Sequence, residues 1–334
     1  MTMGPTQSSF GHVAFRFALG LVASLLLVGC VVWFANPGEI VAAWASARVR
    51  PLTVAALLYL TVLVVRWIRL AGLVDAANVS GHRLELLWAS AGHSFATQLL
   101  PARSGELVFP ELWRRATDTS YAEGAVYLMA IRVVELGIVV PLYAAGLMTW
   151  FATRGDGSPP FWLLSGLVVF GLGLLVALPL LLRFALRIAA WVLLETRLSE
   201  VESLEKLRAA VPRAREAIER LGPLERVWLV VTSLAMWLLL FAVFAFTISA
   251  CGVQLPIAQT VVGSGGGIVG NLLPIGGIGS LGTMEAGWTA AFRATGAPLG
   301  PIVASGLLVH AIVIVGTGLT TALAAVATAL LTND

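Results

Sequence analysis

The stretch "QLLPARSGELVFPELWRR", residues 98–115, follows an apolar run that is too short to cross a bilayer. It places proline, arginine, glycine and glutamate where a spanning segment would carry apolar side chains. Residues 271–288 read "NLLPIGGIGSLGTMEAGW", which again interrupts an apolar segment with Leu-Leu-Pro and then a carboxylate. Proline inside a helix removes a hydrogen bond and clashes with the preceding turn. Both stretches therefore predict broken membrane helices.

The composition around these stretches is that of a membrane protein. Hydrophobic residues make up 58% of the chain and charged residues only 12%, whereas soluble domains average about 25% charged residues. The net charge of +3 is carried by arginine and is spread over predicted loops and helix ends, so we expect no binding of nucleic acid. We expect an all-α integral membrane protein, because helices satisfy their backbone hydrogen bonds internally.

Six apolar runs are near or above the roughly 20 residues needed to span a bilayer. They are residues 13–35, 52–74, 124–150, 161–183, 227–250 and 301–328. The first is too long for the apolar core of a signal peptide, so we interpret it as a retained span. We therefore predict a single membrane domain over residues 1–334, with about six full spans. Two re-entrant helical hairpins, each broken in the middle, should lie in residues 86–110 and 257–293.

The placement of arginines predicts the orientation. With the amino terminus inside, and with both hairpins leaving on the side they entered, most arginines fall on the cytoplasmic side. We therefore expect cytoplasmic amino and carboxyl termini. Residues 184–226 show a helical stripe of apolar residues beside charged ones. They are interpreted as a cytoplasmic amphipathic connector that lies against the membrane or the helix bundle, or that docks a partner.

Residues 52–150 and 227–328 share one pattern: a full span, a broken hairpin and a second full span. The predicted orientations of the two segments are opposite, which is the signature of an inverted-topology repeat. The hairpins align at Gln98 to Pro101 and at Asn271 to Pro274. Half-helices in such positions can direct their amino-terminal N–H groups at an anion near the membrane centre. The alternative is simple helix packing, since Gly263, Gly267 and their neighbours form GxxxG pairs.

Charged residues inside spans are costly and are usually functional. Arg132 and Glu135 lie three residues apart in one span, and we expect them to pair with each other or with Glu106 or Arg103. Arg66 and Arg69 have the same spacing near the end of another span, where they either line a cavity or extend toward the headgroups. For His93 and His310, packing or a hydrogen bond is favoured over a proton relay.

A guanidinium group offers a fork of donors that matches a phosphate group. Arginines beside broken helices therefore predict a site for a phosphate-bearing lipid headgroup, whose tails stay in the bilayer. The glutamates would orient the arginines, bind a cationic part of the headgroup or carry protons. The predicted transport residues are Arg66, Arg69, Gln98, Pro101, Arg103, Glu106, Arg132, Glu135, Asn271, Pro274 and Glu285. We expect no catalytic residues, no metal site and no cofactor.

The motifs "LLPARSGE" at residues 99–106, "RVVE" at 132–135 and "LLPIGGIGSLGTMEA" at 272–286 resemble the flippase-like family. That family comprises the transmembrane region of lysylphosphatidylglycerol synthases and their stand-alone relatives. The resemblance implies movement of a lipid across the bacterial inner membrane, and a hopanoid or glycolipid pathway is one setting that it suggests. Lysyl-transferring members carry a soluble catalytic domain after the membrane region. Because this sequence ends at Asp334, we do not expect synthesis of aminoacyl-lipid.

Gln98 stands where the second hairpin has Asn271, which is a departure from the expected pattern. Three functions compete. The first is a lipid flippase or transporter, and the second is a membrane enzyme that acts on lipid-linked substrates. The enzyme is disfavoured because the sequence shows no clustered metal ligands and no nucleophile with an obvious histidine partner. The third is a non-transporting subunit whose connector holds an enzyme of lipid or glycolipid biosynthesis.

Overall fold

The computed structural model describes residue 22 and residues 25–74, 83–154, 161–195, 205–272 and 281–331. The described part is helical, which confirms the predicted all-α fold. In chain order, the α-helices are α1 Leu25–Phe34, α2 Pro37–Ala45, α3 Val49–Ala71, α4 Arg83–Leu99, α5 Phe109–Thr117, α6 Tyr121–Arg154, α7 Phe161–Glu195, α8 Glu205–Arg220, α9 Pro223–Ala250, α10 Ile257–Leu272, α11 Thr283–Ala294 and α12 Leu299–Leu331. One 3₁₀ helix, Pro101–Val108, lies between α4 and α5.

Five of these helices, α3, α6, α7, α9 and α12, are long and apolar enough to cross a membrane. They coincide with five of the six predicted spans. The sixth corresponds to α1 and α2, which meet at an angle of 87° and could count together as a broken span. The bend lies at Ala35 and Asn36, between the two helices. Asn36 has a positive φ of 60°, and its side chain accepts a hydrogen bond from the N–H of Gly38. Most of residues 13–24 lie outside the described part.

The first predicted break is present. The α-helical hydrogen bonding of α4 ends at Leu99, and the chain continues from Pro101 as a 3₁₀ helix. That segment folds back on α4, because a Cβ on Gly105 would overlap backbone atoms of Ala96 and Thr97. Only glycine permits this approach. The chain thus reverses within a few residues of Leu-Leu-Pro, as the sequence predicted.

The second hairpin is formed by α10 and α11, which pack antiparallel through glycine. A Cβ on Gly266 would overlap the carbonyl oxygen of Gly287, and one on Gly287 would overlap the carbonyl oxygen of Gly266. Nearer the tip, Gly270 lies against Thr283 in the same manner. These glycines serve close helix packing, which was the alternative interpretation of the sequence. Pro274 lies outside the described residues.

The chain divides into two compact units. The first unit contains residues Met1–Tyr59, Ser94–Glu106 and Phe241–Gly316, and the second contains Leu60–His93, Leu107–Leu240 and Thr317–Asp334. The core of the second unit is large and apolar, and Trp113 and Tyr127 pack edge to face within it. The two repeats proposed for residues 52–150 and 227–328 stay a prediction, as does their inverted orientation.

The connector differs from its predicted bounds. Residues 184–195 continue α7 as helix instead of beginning a separate segment. The amphipathic part is α8, which remains continuous through Pro212 and is not divided there. Its apolar face, with Ala217 and Ile218, packs on α6 and α7. The connector therefore lies against the helix bundle, one of the placements that the sequence predicted.

A buried carboxylate secures α8. Glu123, near the start of α6, accepts hydrogen bonds from Trp113 Nε1 at 3.4 Å and from Arg220 Nη1 at 3.1 Å. We expect Glu123→Ala to weaken the docking of α8 by about 1–2 kcal/mol, because a charged hydrogen bond with a half-exposed arginine is lost. Amide hydrogen exchange over residues 205–220 should become correspondingly faster. Glu219→Ala, which removes an exposed ion pair with Arg215, is the control. Equally fast amide hydrogen exchange in this variant would contradict the role of Glu123.

Candidate functional site

A charged cluster lies among the spanning helices of the second unit. Arg69 Nη1 donates to Glu135 Oε1 at 2.7 Å and to Ser233 Oγ at 3.1 Å. The other carboxylate oxygen of Glu135 accepts from Arg132 Nη1. Arg69 and Glu135 are buried, with 6% and 8% of their surface exposed. We call Arg66, Arg69, Arg132 and Glu135 the arginine cluster.

Helix geometry explains how the sequence assembles this cluster. Side chains three residues apart lie on the same face of a helix. Arg132 and Glu135 therefore share a face of α6, while Arg66 and Arg69 share a face of α3. Inserting a lone charge into a membrane costs about 2.5–3.5 kcal/mol on insertion scales. Pairing across α3 and α6 offsets that cost, and Ser233 on α9 supplies a further polar contact.

The arginines of the cluster differ in exposure, and this difference matters for binding. The side chain of Arg69 is only 8% exposed, whereas that of Arg132 is 37% exposed. Glu135 thus orients the guanidinium group of Arg132 without enclosing it. Arg66 is half-buried and directs Nε toward Met236 Sδ at 3.4 Å. Arg132 is consequently better placed than Arg69 to meet a ligand.

Arg69 retains one unused donor. Its Nε has no hydrogen-bond partner among the residues that the structure describes. A buried donor of this kind costs free energy unless water or a ligand satisfies it. Arg66, Arg69 and Arg132 all act electrostatically on Glu135. Guanidinium groups gathered in this way suit an anion with several acceptor oxygens, such as a phosphate group.

These positions correct one interpretation of the sequence. Arg69 does not extend toward the headgroups, because it is buried and paired with Glu135. The predicted pair of Arg132 with Glu135 is present. The link between Arg69 and Glu135 was missed, since the two residues are 66 positions apart. The only available signal was that both are charges inside apolar runs.

A second buried group lies in the first unit. Glu285 Oε1 and His310 Nδ1 are 2.6 Å apart, and the two side chains are 2% and 3% exposed. Glu285 Oε2 also accepts from the N–H of Gly282 at 2.7 Å, at the start of α11. Gly282 has a positive φ of 92°, which glycine adopts without strain. The hydrogen bond expected for His310 is present, but its partner was not foreseen.

The remaining predicted residues belong to the two hairpins of the first unit, not to the arginine cluster. Gln98 is half-buried in the last turn of α4, and Asn271 is half-buried near the end of α10. Glu106 is half-buried in the 3₁₀ helix. Pro101 and Arg103 begin that helix, and their side chains lie outside the described part, as does Pro274.

The chain contains two cysteines and four histidines. No group of three His, Cys, Asp or Glu side chains that could hold a metal ion occurs within the described ranges. Cys30 and Cys251 are both free thiols and form no disulfide. Cys251 is buried in the apolar core of the first unit, where burial raises its pKa to about 11. Cys251 thus packs within this core, whereas Cys30 is exposed.

Comparison with known protein families gives a match over most of the chain. The family model described as "Lysylphosphatidylglycerol synthase TM region" matches residues 17–320, which is most of the chain. No curated protein and no solved structure is similar enough to match. The matched range includes all four residues of the arginine cluster, both hairpins and the pair of Glu285 with His310.

Proposed function

We propose, from the fact that this chain belongs to the lysylphosphatidylglycerol synthase transmembrane-region family, that it moves a phosphate-bearing lipid across the bacterial inner membrane. It is a multi-pass membrane protein of a lipid-related family, and its five spanning helices accord with that membership. The proposal makes the protein a flippase and not an enzyme. The amino and carboxyl termini would face the cytoplasm.

The arginine cluster is the observation that supports this proposal. Charged groups in a spanning helix are retained mainly where they contact a substrate, an ion or each other. Glu135 accounts for the placement of Arg69, but Arg132 is held with more than a third of its side chain exposed. An exposed, oriented guanidinium group inside a spanning helix is suited to a phosphate oxygen. The acyl chains of the lipid would remain in the bilayer during the movement.

The first hairpin, with its break after Leu99, and the pair of helices α10 and α11 provide the second support. Non-helical backbone at membrane depth is tolerated where it is buried in protein or lines a wet cavity. Discontinuous helices in corresponding positions of two repeats are typical of transporters. We therefore propose that the hairpins move during transport, while the helices that carry the arginine cluster bind the headgroup.

The test is transbilayer lipid movement in proteoliposomes that contain fluorescent phosphatidylglycerol, fluorescent phosphatidylethanolamine or a neutral polycyclic lipid. We expect the wild-type protein to move a phosphate-bearing lipid, and Arg132→Ala to slow that movement by roughly 10-fold to 100-fold. This range corresponds to the loss of one charge-assisted hydrogen bond, about 1.5–3 kcal/mol. Glu106→Gln should also reduce the movement, because Glu106 closes the motif of the first hairpin.

Arg154→Ala is the matched control, since Arg154 lies at the end of the same helix and contacts the ring of Trp150. It should move lipid at the wild-type rate. If folded wild-type protein moves none of the lipids, the proposed function is wrong. The protein is then better explained as a non-transporting subunit. In that case a soluble enzyme should co-purify with it through contacts with α8. Equal rates for wild type and Arg132→Ala would mean that the arginine cluster does not bind the headgroup.

A further inference from the structure

The pair of Glu285 and His310 has no part in headgroup binding as proposed above, and it is the most deeply buried ionisable pair described in the first unit. His310 lies 11 residues after Leu299, which places it about 17 Å along α12 from its start. The helix around it is apolar over 33 residues. Two titratable groups at this depth need an explanation beyond packing.

The chemistry of the pair allows one proton to be added without loss of the hydrogen bond. A neutral imidazole donates Nδ1–H to the carboxylate, and the pair then carries one negative charge. Addition of a proton at Nε2 produces an imidazolium–carboxylate pair with no net charge. His310 Nε2 is buried and has no hydrogen-bond partner among the described residues. A net-neutral pair avoids the cost of an isolated charge in a medium of low dielectric constant.

The ionisable groups on the neighbouring elements are few. Helix α10 has none, α12 has only His310, and the segment of α9 within the first unit, residues 241–250, has none. Helix α11 carries Glu285 and the exposed Arg293. The other charged residues of the described first unit are Glu39 on α2, Arg48 and Arg50 at the start of α3, and Arg103 and Glu106 on the first hairpin.

The pair is joined to the hairpin by direct contacts. Glu285 accepts from the N–H of Gly282, so the same carboxylate caps α11 and holds His310. One turn later, Trp288 Nε1 donates to the carbonyl oxygen of Ile302 on α12 at 3.0 Å. A carboxylate near the amino terminus of a helix is favoured by the helix dipole. A change of charge at the pair therefore acts on the group that fixes the start of α11.

We infer that the Glu285–His310 pair is a proton-binding site, and that its proton couples the second hairpin to the proton gradient. A hydronium ion from one side of the membrane transfers its proton to His310 Nε2 and leaves as water. Release of that proton to water on the other side completes the cycle, with no change in bonds between heavy atoms. The coupling rests on the lipid movement proposed above, whereas proton binding by the pair does not.

The first measurement needs no lipid substrate. Purified wild-type protein in nanodiscs should take up about one proton more than His310→Gln when the pH is lowered, because imidazole can bind a second proton. Glutamine retains a side chain that can hydrogen-bond to Glu285 but cannot bind this proton. Equal uptake by the two proteins would overturn the inference, whatever the outcome of the transport assay.

The second measurement uses phosphatidylcholine vesicles with fluorescent phosphatidylglycerol and an imposed pH gradient. For one proton per lipid, a gradient of one pH unit should shift the steady-state lipid distribution by up to about tenfold. Reversal of the gradient should reverse the shift. Both His310→Gln and Glu285→Gln should abolish this response. His93→Gln, which removes a histidine that packs on Phe109, should keep it.

The outcomes separate the two proposals. Lipid movement that does not respond to the pH gradient would overturn the coupling but would leave the proposed function intact. No lipid movement by wild-type protein would overturn the proposed function and the coupling, but the extra proton would still establish the binding site. If one variant fails to fold, the other variant decides whether the pair carries the coupling, and a wild-type protein that does not respond to a reversed gradient overturns the coupling without any substitution.

Discussion

Glu135→Gln should destabilise the protein more than any other single loss of charge. Glu135 is the common partner of Arg69 and Arg132, and Arg69 is buried. Removing one member of a buried ion pair leaves an uncompensated charge and costs about 3–5 kcal/mol. We expect a loss of that size in the free energy of unfolding, measured in mixed detergent micelles. Lipid movement should also fall, because Arg132 would lose the group that orients it.

Glu111→Gln is the matched control for this variant. Glu111 also lies between two arginines, but on an exposed surface of α5. Hydrogen bonds from Arg114 and then Arg115 lower the pKa of Glu111 to about 2. A lowered carboxyl pKa means that the pairing is present above the ordinary pKa and is lost only as the pH falls toward 2. The control therefore removes a carboxylate that is ionised at neutral pH. Its stability should stay close to that of the wild type, because solvent screens exposed ion pairs and each contributes little to the free energy of unfolding.

A double substitution separates the structural role from the functional one. Replacing Arg69 by Met and Glu135 by Leu removes both members of the buried pair together. Such apolar replacements are often neutral or stabilising, so the double variant should be more stable than Glu135→Gln. Lipid movement should nevertheless remain impaired. A double variant that moves lipid normally would mean that the pair serves stability alone.

Gly266→Ala should be the most damaging substitution in the second hairpin. The added methyl group would overlap the carbonyl oxygen of Gly287, which is backbone and cannot rotate away. The helices α10 and α11 would have to separate along their line of closest approach. Overpacking of this kind costs about 1–3 kcal/mol and occasionally more. We expect a loss near the upper end of this range in the free energy of unfolding.

Gly173→Ala tests whether the effect is one of packing. Gly173 lies within α7, and a Cβ there meets no atom within 4 Å. Alanine is favoured over glycine in a helix by about 0.8–1.0 kcal/mol, so this variant should be as stable as the wild type or slightly more stable. If Gly266→Ala behaves in the same way, the close approach of α10 and α11 is not required.

The spans and the first break were predictable because their signals are local. Hydropathy identifies segments that need lipid, and Pro101 with Gly105 identifies where the helix must end. Hydropathy did not predict that α7 continues to Glu195. Residues beyond 183 are less apolar but still favour a helix, so the end of the hydrocarbon contact is not the end of the helix.

The candidate site was only partly predictable, for a different physical reason. Arg132 and Glu135 are three residues apart on one helix, so their pairing follows from local geometry. The contacts of Arg69 with Glu135 and of Glu285 with His310 join different helices, and a single sequence does not say which faces meet. The glycines of α10 were compatible with both a cavity and close packing. The close contacts of Gly266 with Gly287 and of Gly270 with Thr283 distinguish the two.

The length of α7 has a consequence for the membrane in which the protein works. At 1.5 Å per residue its 35 residues extend about 52 Å, whereas the hydrocarbon core is about 30 Å thick. The predicted apolar run of residues 161–183 alone is about 35 Å long. Only 17% of the most apolar part of the helix is buried in protein, so most of that part contacts the surrounding lipids directly. Thin bilayers should therefore force this helix to tilt or the lipids beside it to stretch, and acyl-chain length becomes a determinant of how well the protein fits its membrane.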